Sequence, residues 1–184
     1  IYILGETKNE LGGSEYFSYQ KTIGNTAQPA AGTVPQVDAD QATKLYRLFT
    51  QATDQRLISS ALSPGFGGLG ITLAKKAIAG QLGMEIDLCN LAASATPRTD
   101  YALFSESQSR IIVTIDPKRQ QEFEKHFADT PFALLGKITN DQNFIIKANH
   151  GAVPSETIIK TNIATLDENY RKLFKRFYTI NYVY

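Results

Sequence analysis

Leu103-Phe104-Ser105-Glu106-Ser107-Gln108-Ser109-Arg110-Ile111-Ile112-Val113-Thr114-Ile115 sets a dense polar run directly against a run of β-branched residues. Arg110 to Ile115 reads as a strand, because branched side chains pack well on a pleated surface. The polar run before it, between that strand and the apolar Tyr101 to Phe104, must satisfy its own hydrogen bonds. Directly after the strand, Asp116-Pro117 marks a helix start: an N-cap followed by a ring already fixed at helical φ, with Phe123 and Phe127 on the buried side. Strand, then capped helix, is the pattern the rest of the chain follows loosely.

Working back toward the start, Met84 to Leu88 reads as a strand and Gly83 as the stop of the helix before it. On that helix Ile71, Ala74, Ile78 and Leu82 form one stripe. It opens from Ser63-Pro64-Gly65-Phe66-Gly67-Gly68-Leu69-Gly70, and Leu57 to Leu62 ahead of that loop reads as a short buried strand. Asp38 or Asp40 caps an earlier helix whose Leu45, Leu48, Phe49 and Ala52 recur at i, i+3, i+4 and i+7, a spacing that lays it on a sheet. Ile1 to Leu4 reads as a strand, and Ser14 to Phe17 as one helical turn. Gly24 to Pro35 and Asn90 to Asp100 read as loops.

Toward the end, Phe132 to Ile138 and Asn143 to Lys147 read as a hairpin turned by Thr139-Asn140-Asp141-Gln142. Thr157 to Ile163 adds a strand. The last helix carries a capping box, Thr165 with Glu168, and presents Leu166, Tyr170, Leu173, Phe174 and Phe177 on one face. Strands and helices alternate without a strict βαβ repeat, which predicts an α+β class, a layered α/β/α domain with a mixed sheet. Residues 1–184 are expected to form one domain. The start at Ile1, without an initiating methionine, suggests a piece of something longer.

Composition narrows the function. Hydrophobic residues make up 42% and charged residues 20%, the balance of a foldable globular chain. Nineteen basic against eighteen acidic side chains, with no basic stripe, speak against nucleic acid. The densest basic cluster, Arg171, Lys172, Lys175 and Arg176, reads as a solvated helix face. One cysteine, Cys89, rules out an internal disulfide framework and fits a reducing cytoplasm; it reads as a small, partly buried apolar residue. Neither His126 nor His150 has a metal-ligand partner at helical spacing, and both read as surface residues. No apolar run approaches the roughly 20 residues of a membrane span.

Three stretches could carry chemistry. The glycine loop holding Gly67 and Gly68 stands between strand and helix, where free N–H groups and the helix dipole attract an anion. It lacks the Lys-Ser/Thr of a Walker loop, so it reads either as a tight turn or as a phosphate cradle. In the polar run, Glu106, Ser107 and Gln108 offer an acceptor, a hydroxyl and an amide, and Arg110 suits a carboxylate or phosphate. The other reading is a turn whose serines bond the backbone. In Gly5-Glu6-Thr7-Lys8-Asn9-Glu10-Leu11-Gly12-Gly13-Ser14-Glu15-Tyr16, Ser14 is an N-cap. No nucleophile, base and orienting group can be assembled, so no catalytic residue and no metal ligand is assigned.

In this order and at these separations the stretches resemble the second half of the phosphoribosylformylglycinamidine synthase family, within the aminoimidazole ribonucleotide synthetase superfamily. Leu4-Gly5-Glu6-Thr7 with Glu10 to Tyr16, Gly32-Thr33-Val34-Pro35, Gly67-Gly68-Leu69, Leu103 to Arg110 and Gly136-Lys137-Ile138 carry the resemblance over nearly the whole chain. Ahead of Gly67, Leu62, Ser63 and Phe66 stand where the family commonly has a His-Asp pair and another acidic residue.

The resemblance implies the fold of the carboxy-terminal domain of aminoimidazole ribonucleotide synthetase. It implies an enzyme of purine synthesis that uses ATP, magnesium and glutamine-derived ammonia to amidate formylglycinamide ribonucleotide. The catalytic histidine and the ATP and magnesium ligands are then in upstream domains, and this domain alone binds neither and is inactive. Glu106, Ser107 and Gln108, with Arg110, Gly67 and Gly68 beside them, become the counterparts of a substrate-contacting triplet, placed at an auxiliary site. The implied partners are the upstream domains, a glutaminase and small accessory subunits. A stand-alone, non-catalytic ligand-binding or interaction domain is the alternative. A selenophosphate synthetase or thiamine phosphate kinase is disfavoured by the Ser-Glu-Ser-Gln-Ser-Arg run. Three further expectations follow: a cytoplasmic location, an exposed apolar face to which Ile1 to Leu4 contributes, and a polar cluster of Glu106, Ser107, Gln108 and Arg110 at a cleft rim.

Overall fold

The strand β1 (Tyr2–Leu4) lies inside the first of two sheets, whose order is β2-β4-β1-β5 with every pair antiparallel. Its other members are β2 (Ser60–Leu62), β4 (Ile111–Thr114) and β5 (Phe132–Leu134). The second sheet runs β6-β3-β7-β8, from β3 (Gly83–Asp87), β6 (Gly136–Thr139), β7 (Asn143–His150) and β8 (Val153–Asn162). It is mixed, because β3 pairs parallel with β7 and antiparallel with β6. The helices are α1 (Glu15–Thr22), α2 (Ala39–Asp54), α3 (Gly68–Gly80), α4 (Thr99–Phe104), α5 (Gln120–His126) and α6 (Ile163–Tyr178). This is a computed structural model, and it describes residues 1–24, 33–91, 98–150 and 153–178.

β1 is buried on both faces, which is why it reads as an unbroken apolar run. Tyr2 and Leu4 join one core cluster with Leu45 and Ala52 of α2, Ile111 and Val113 of β4, and Phe123 and Phe127. Ile1 and Ile3 point into the other, with Leu69, Leu73 and Ala77 of α3 and Met84, Ile86, Phe144 and Ile146 of the second sheet. Burying each large apolar side chain is worth about 1.5–3 kcal/mol, so β1 ties the two clusters into one core.

The α+β class and the mixed sheet hold, with two sheets in place of one. Asp38 caps α2 as expected, its carboxylate accepting from the N–H groups of Asp40 and Gln41. Asp116 likewise accepts from Lys118 N–H ahead of a 3-10 turn and α5. The expected helical turn at Ser14 extends to eight residues.

Several expectations are corrected. Ile1 to Leu4 forms no exposed face; its side chains are almost wholly buried. The strand expected at Leu57 to Leu62 shortens to an exposed edge strand, and only Leu57 is buried. On α3 the buried side is Leu69, Thr72, Leu73 and Ala77, while Ile71 is exposed. That helix ends on Gln81 in the left-handed region, not on Gly83, which opens β3. Tyr101 to Phe104 belongs to a short helix. The hairpin does not exist, because β3 inserts between β6 and β7. Tyr170 faces solvent on α6, Cys89 is exposed, and His126 is half-buried with a ring nitrogen 2.9 Å from the Leu48 carbonyl. The loops expected at Gly24 to Pro35 and Asn90 to Asp100 lie largely outside the described residues, as do the side chains of Leu173, Phe174 and Phe177.

Candidate functional site

The polar run bridges α4 and β4 and folds around its own last residue. Arg110 is 2% exposed. Its Nε donates to the Ser107 carbonyl at 2.9 Å, Nη2 to the Ser105 carbonyl at 2.6 Å, and Nη1 to Thr7 Oγ1 at 3.0 Å. The guanidinium is held down at about 10, burial lowering it more than the Glu10 and Glu106 carboxylates raise it, so it stays charged at neutral pH. The hydroxyls of the run turn the other way. Lys8 N–H donates to Ser107 Oγ at 2.9 Å and Glu10 N–H to Ser105 Oγ at 3.2 Å, stitching the loop to residues 7–10.

Glu106 reaches two helix starts with one oxygen. Oε1 accepts from Gly67 N–H at 2.9 Å and from Glu15 N–H at 3.0 Å. Gly67 is the N-cap of α3 and has no side chain of its own; Glu106 accepts from its backbone N–H, the bond that an N3 carboxylate makes in a capping box. The approach is close because Gly68, at φ 63°, has no Cβ: one placed there would lie 2.5 Å from the Ser105 carbonyl oxygen. On the other side of the loop Gly5, at φ 84°, leaves the same room for the Ser109 carbonyl.

Gln108 alone of the run is exposed. Its Nε2 donates to the Glu106 carbonyl at 3.1 Å, and with Ser109 it lines a cleft of about 160 Å3 shared with Glu6, Lys8, Gln36 and Lys44. Ser109 sits at φ 56°, a left-handed conformation rare outside glycine and frequent at ligand clamps.

The expected rim cluster is therefore corrected. Ser107 and Arg110 are buried, Glu106 is half-buried, and only Gln108 lies open on the cleft. Dense polar groups escape the burial penalty here because backbone carbonyls and N–H groups supply their partners. Gly67 offers its N–H to Glu106, and Gly68 packs against the loop. Two residues at this site, Thr7 and Glu10, lie in the stretch from Gly5 to Tyr16 but were given no role of their own from the sequence. Glu10 is 5% exposed; Oε1 accepts from Gln36 N–H, and Oε2 has no hydrogen-bond partner among the described residues. No spacing in the sequence marks either one, since both sit in an aperiodic turn.

Among the described residues no three His, Cys, Asp or Glu side chains come together as a metal-binding group. Of the two acids nearest Arg110, Glu106 spends Oε1 on two backbone N–H groups and Glu10 is enclosed. Among the same residues no helix is long and apolar enough to cross a membrane.

Residues 1–149 match the family described as AIR synthase related protein, C-terminal domain. The chain belongs to that family. Among curated relatives, the phosphoribosylformylglycinamidine synthase subunit PurL of Methanocaldococcus jannaschii is 30% identical over 177 residues, 96% of this chain and 22% of the relative. That of Caldanaerobacter subterraneus subsp. tengcongensis is 32% identical, over 95% of this chain and 22% of the relative. That of Synechocystis is 37% identical, over 77% of this chain and 18% of the relative. The chain thus spans about a fifth of the length of these relatives.

Among solved structures, Thermotoga maritima PurL complexed with FGAR superposes with TM-score 0.70 at 15% identity, covering 90% of this chain and 27% of that one. The same protein has been solved complexed with ATP and as PurLQS. HypE of E. coli, a hydrogenase maturation protein, shares the fold at TM-score 0.56 and 13% identity, over 86% of this chain and 48% of that one.

Proposed function

We propose that the chain serves as the carboxy-terminal domain of a phosphoribosylformylglycinamidine synthase in the cytoplasm. The reaction of the whole enzyme is the ATP- and magnesium-dependent amidation of formylglycinamide ribonucleotide with glutamine-derived ammonia. The domain packs on upstream domains, in an assembly that includes a glutaminase and small accessory subunits. One observation carries the reading of its role. The ionisable groups of the most family-specific run are used internally, Arg110 on two carbonyls and a hydroxyl and Glu106 on two helix starts. A loop bound in this way has no acid or base to lend to catalysis; it presents Gln108 to a cleft. The domain therefore supplies architecture and one wall of an auxiliary ligand site.

The exposed Phe66, Ile71 and Leu62 at the glycine loop support contact with a neighbouring domain. The experiment uses both the chain and the full-length enzyme. The purified chain is expected to show no magnesium-dependent ATP turnover. Gln108→Ala in the full-length enzyme is expected to leave the melting temperature unchanged and amidation within about twofold, since Gln108 is exposed and has one hydrogen bond to its own loop. ATP turnover by the chain that a point change within it abolishes, or loss of amidation at unchanged stability in Gln108→Ala, overturns the auxiliary role.

A further inference from the structure

Two helices begin at one point in this fold. The first turn of a helix leaves backbone N–H groups without intrahelical partners and carries a partial positive charge, so helix starts attract anions. The glycine loop at the start of α3 has that character on sequence grounds, and its N-cap residue contributes no side chain. The start of α1 converges on it, and a carboxylate already sits between them. Glu106 Oε1 accepts from Gly67 N–H at 2.9 Å and Glu15 N–H at 3.0 Å.

Gly68, the next residue, is closely packed on its Cα side. A Cβ on Gly68 would lie 2.5 Å from the Ser105 carbonyl oxygen, 2.8 Å from the Phe104 carbonyl carbon and 2.9 Å from the Leu103 carbonyl oxygen. The end of α4 is pressed against Gly68, so the loop cannot swing toward it without a clash.

We infer that Glu106 is a built-in anion that closes the glycine loop to phosphate and locks α1 to α3. A phosphate arriving at Gly67 meets a carboxylate of like charge on the same N–H group, backbone carbonyl oxygens packed against the neighbouring Gly68, and no side-chain donor in residues 65–70. The phosphate groups of any nucleotide or sugar phosphate that this domain holds therefore bind away from residues 65–70. This inference does not depend on the enzyme reading, since it concerns only how the loop's donors are used.

The test has two arms on the 184-residue chain. In the first, inorganic phosphate is titrated into the wild-type protein while backbone amides are followed by NMR. The Gly67 and Glu15 amides are expected to stay in place; saturable shifts of both would overturn the inference. In the second, Glu106→Ala is melted in chloride and in acetate at equal ionic strength. The variant is expected to lose roughly 2 to 8 °C in chloride, the scale of a lost helix cap. Acetate, which has the carboxylate that was removed, is expected to restore part of that loss and to leave the wild type unchanged. A variant that melts like the wild type, or that acetate rescues no better than chloride, removes the built-in anion. If Glu106→Ala does not fold, the phosphate titration of the wild type decides alone.

Discussion

Arg110 Nη2 donates to the Ser105 carbonyl, 2.6 Å away and five residues earlier, so the polar loop closes on the residue that ends it. A lysine could not replace that geometry, because its three N–H groups radiate from one nitrogen and do not match a planar fork. Arg110→Lys leaves at least one of Ser105 O, Ser107 O and Thr7 Oγ1 without a donor. At about 1–3 kcal/mol for each buried group left unpaired, the expected loss is roughly 2–5 kcal/mol in urea unfolding. Unchanged stability would mean that the guanidinium contributes charge and no specific bonding.

Gly68→Ala is expected to destabilise by roughly 2–4 kcal/mol, since it combines a positive φ with a methyl driven into the Ser105 carbonyl. Gly80→Ala, at the far end of the same helix with nothing within 4 Å of the added methyl, is the control. It is expected to be neutral or to stabilise by up to about 1 kcal/mol. Equal effects at the two positions, measured by thermal melts, would show that α3 does not approach the loop as closely as described.

Acid should weaken the second sheet at Glu85. Lys147 Nζ lies 2.6 Å from its carboxylate and Lys137 Nζ 3.3 Å away, and these partners hold its carboxyl below the ordinary 4.5. A carboxylate depressed in the folded state adds stability that is fully present above pH 4.5 and lost as pH falls through the folded value. Lys147→Met is expected to raise the Glu85 carboxyl toward 4.5 and flatten the acid limb of the plot of Tm against pH. An acid limb identical to wild type would assign acid sensitivity to other groups.

Tyr2→Phe separates a hydroxyl from a ring. The hydroxyl donates to Glu124 Oε1 at 2.5 Å, and the ring packs on Phe123 with centroids 4.8 Å apart. Loss of the hydroxyl is expected to cost about 1 kcal/mol and to let the Glu124 carboxyl, held down first by this bond and then by Gln120, rise in an NMR titration. Tyr2→Ala, which removes the buried ring as well, is expected to cost about 3–5 kcal/mol. A Glu124 titration that ignores the Phe variant would place its low value on other neighbours.

What the sequence revealed and what it hid follow from the range of the forces involved. Asp38, Ser14 and Asp116 were readable as caps because a cap bonds N–H groups two or three residues away. Ile1 to Leu4 and Ile111 to Val113 were readable as strands because both are uniformly apolar. The site was hidden where partners are remote: Thr7 meets Arg110, and Glu106 meets Gly67 and Glu15, across long stretches of chain that carry no periodicity. The false hairpin had a local cause. Thr139 to Gln142 has turn chemistry, with Asp141 accepting from Thr139 and Asn143, yet the strands it joins are parted by one that precedes them. The stripe on α3 was misplaced because its apolar residues nearly encircle it, so that periodicity could not select between Ile71 and Leu73.

The strand order also sets a timetable. Each pair in the first sheet joins remote segments, Ser60 to Thr114, Tyr2 to Val113 and Tyr2 to Leu134, and in the second sheet Met84 must wait for Phe144. Of the eight strands described, only β7 pairs with its immediate successor, β8. Loop-closure entropy must be spent before such remote pairings return anything, which slows the search. During synthesis Tyr2, Ile3 and Leu4 leave the ribosome long before the strands that will flank them exist. The nascent chain therefore carries this buried, wholly apolar strand unpartnered until residue 114 has emerged and flanked on only one edge until residue 134 has, and that interval is when the protein is most exposed to aggregation and to capture by chaperones.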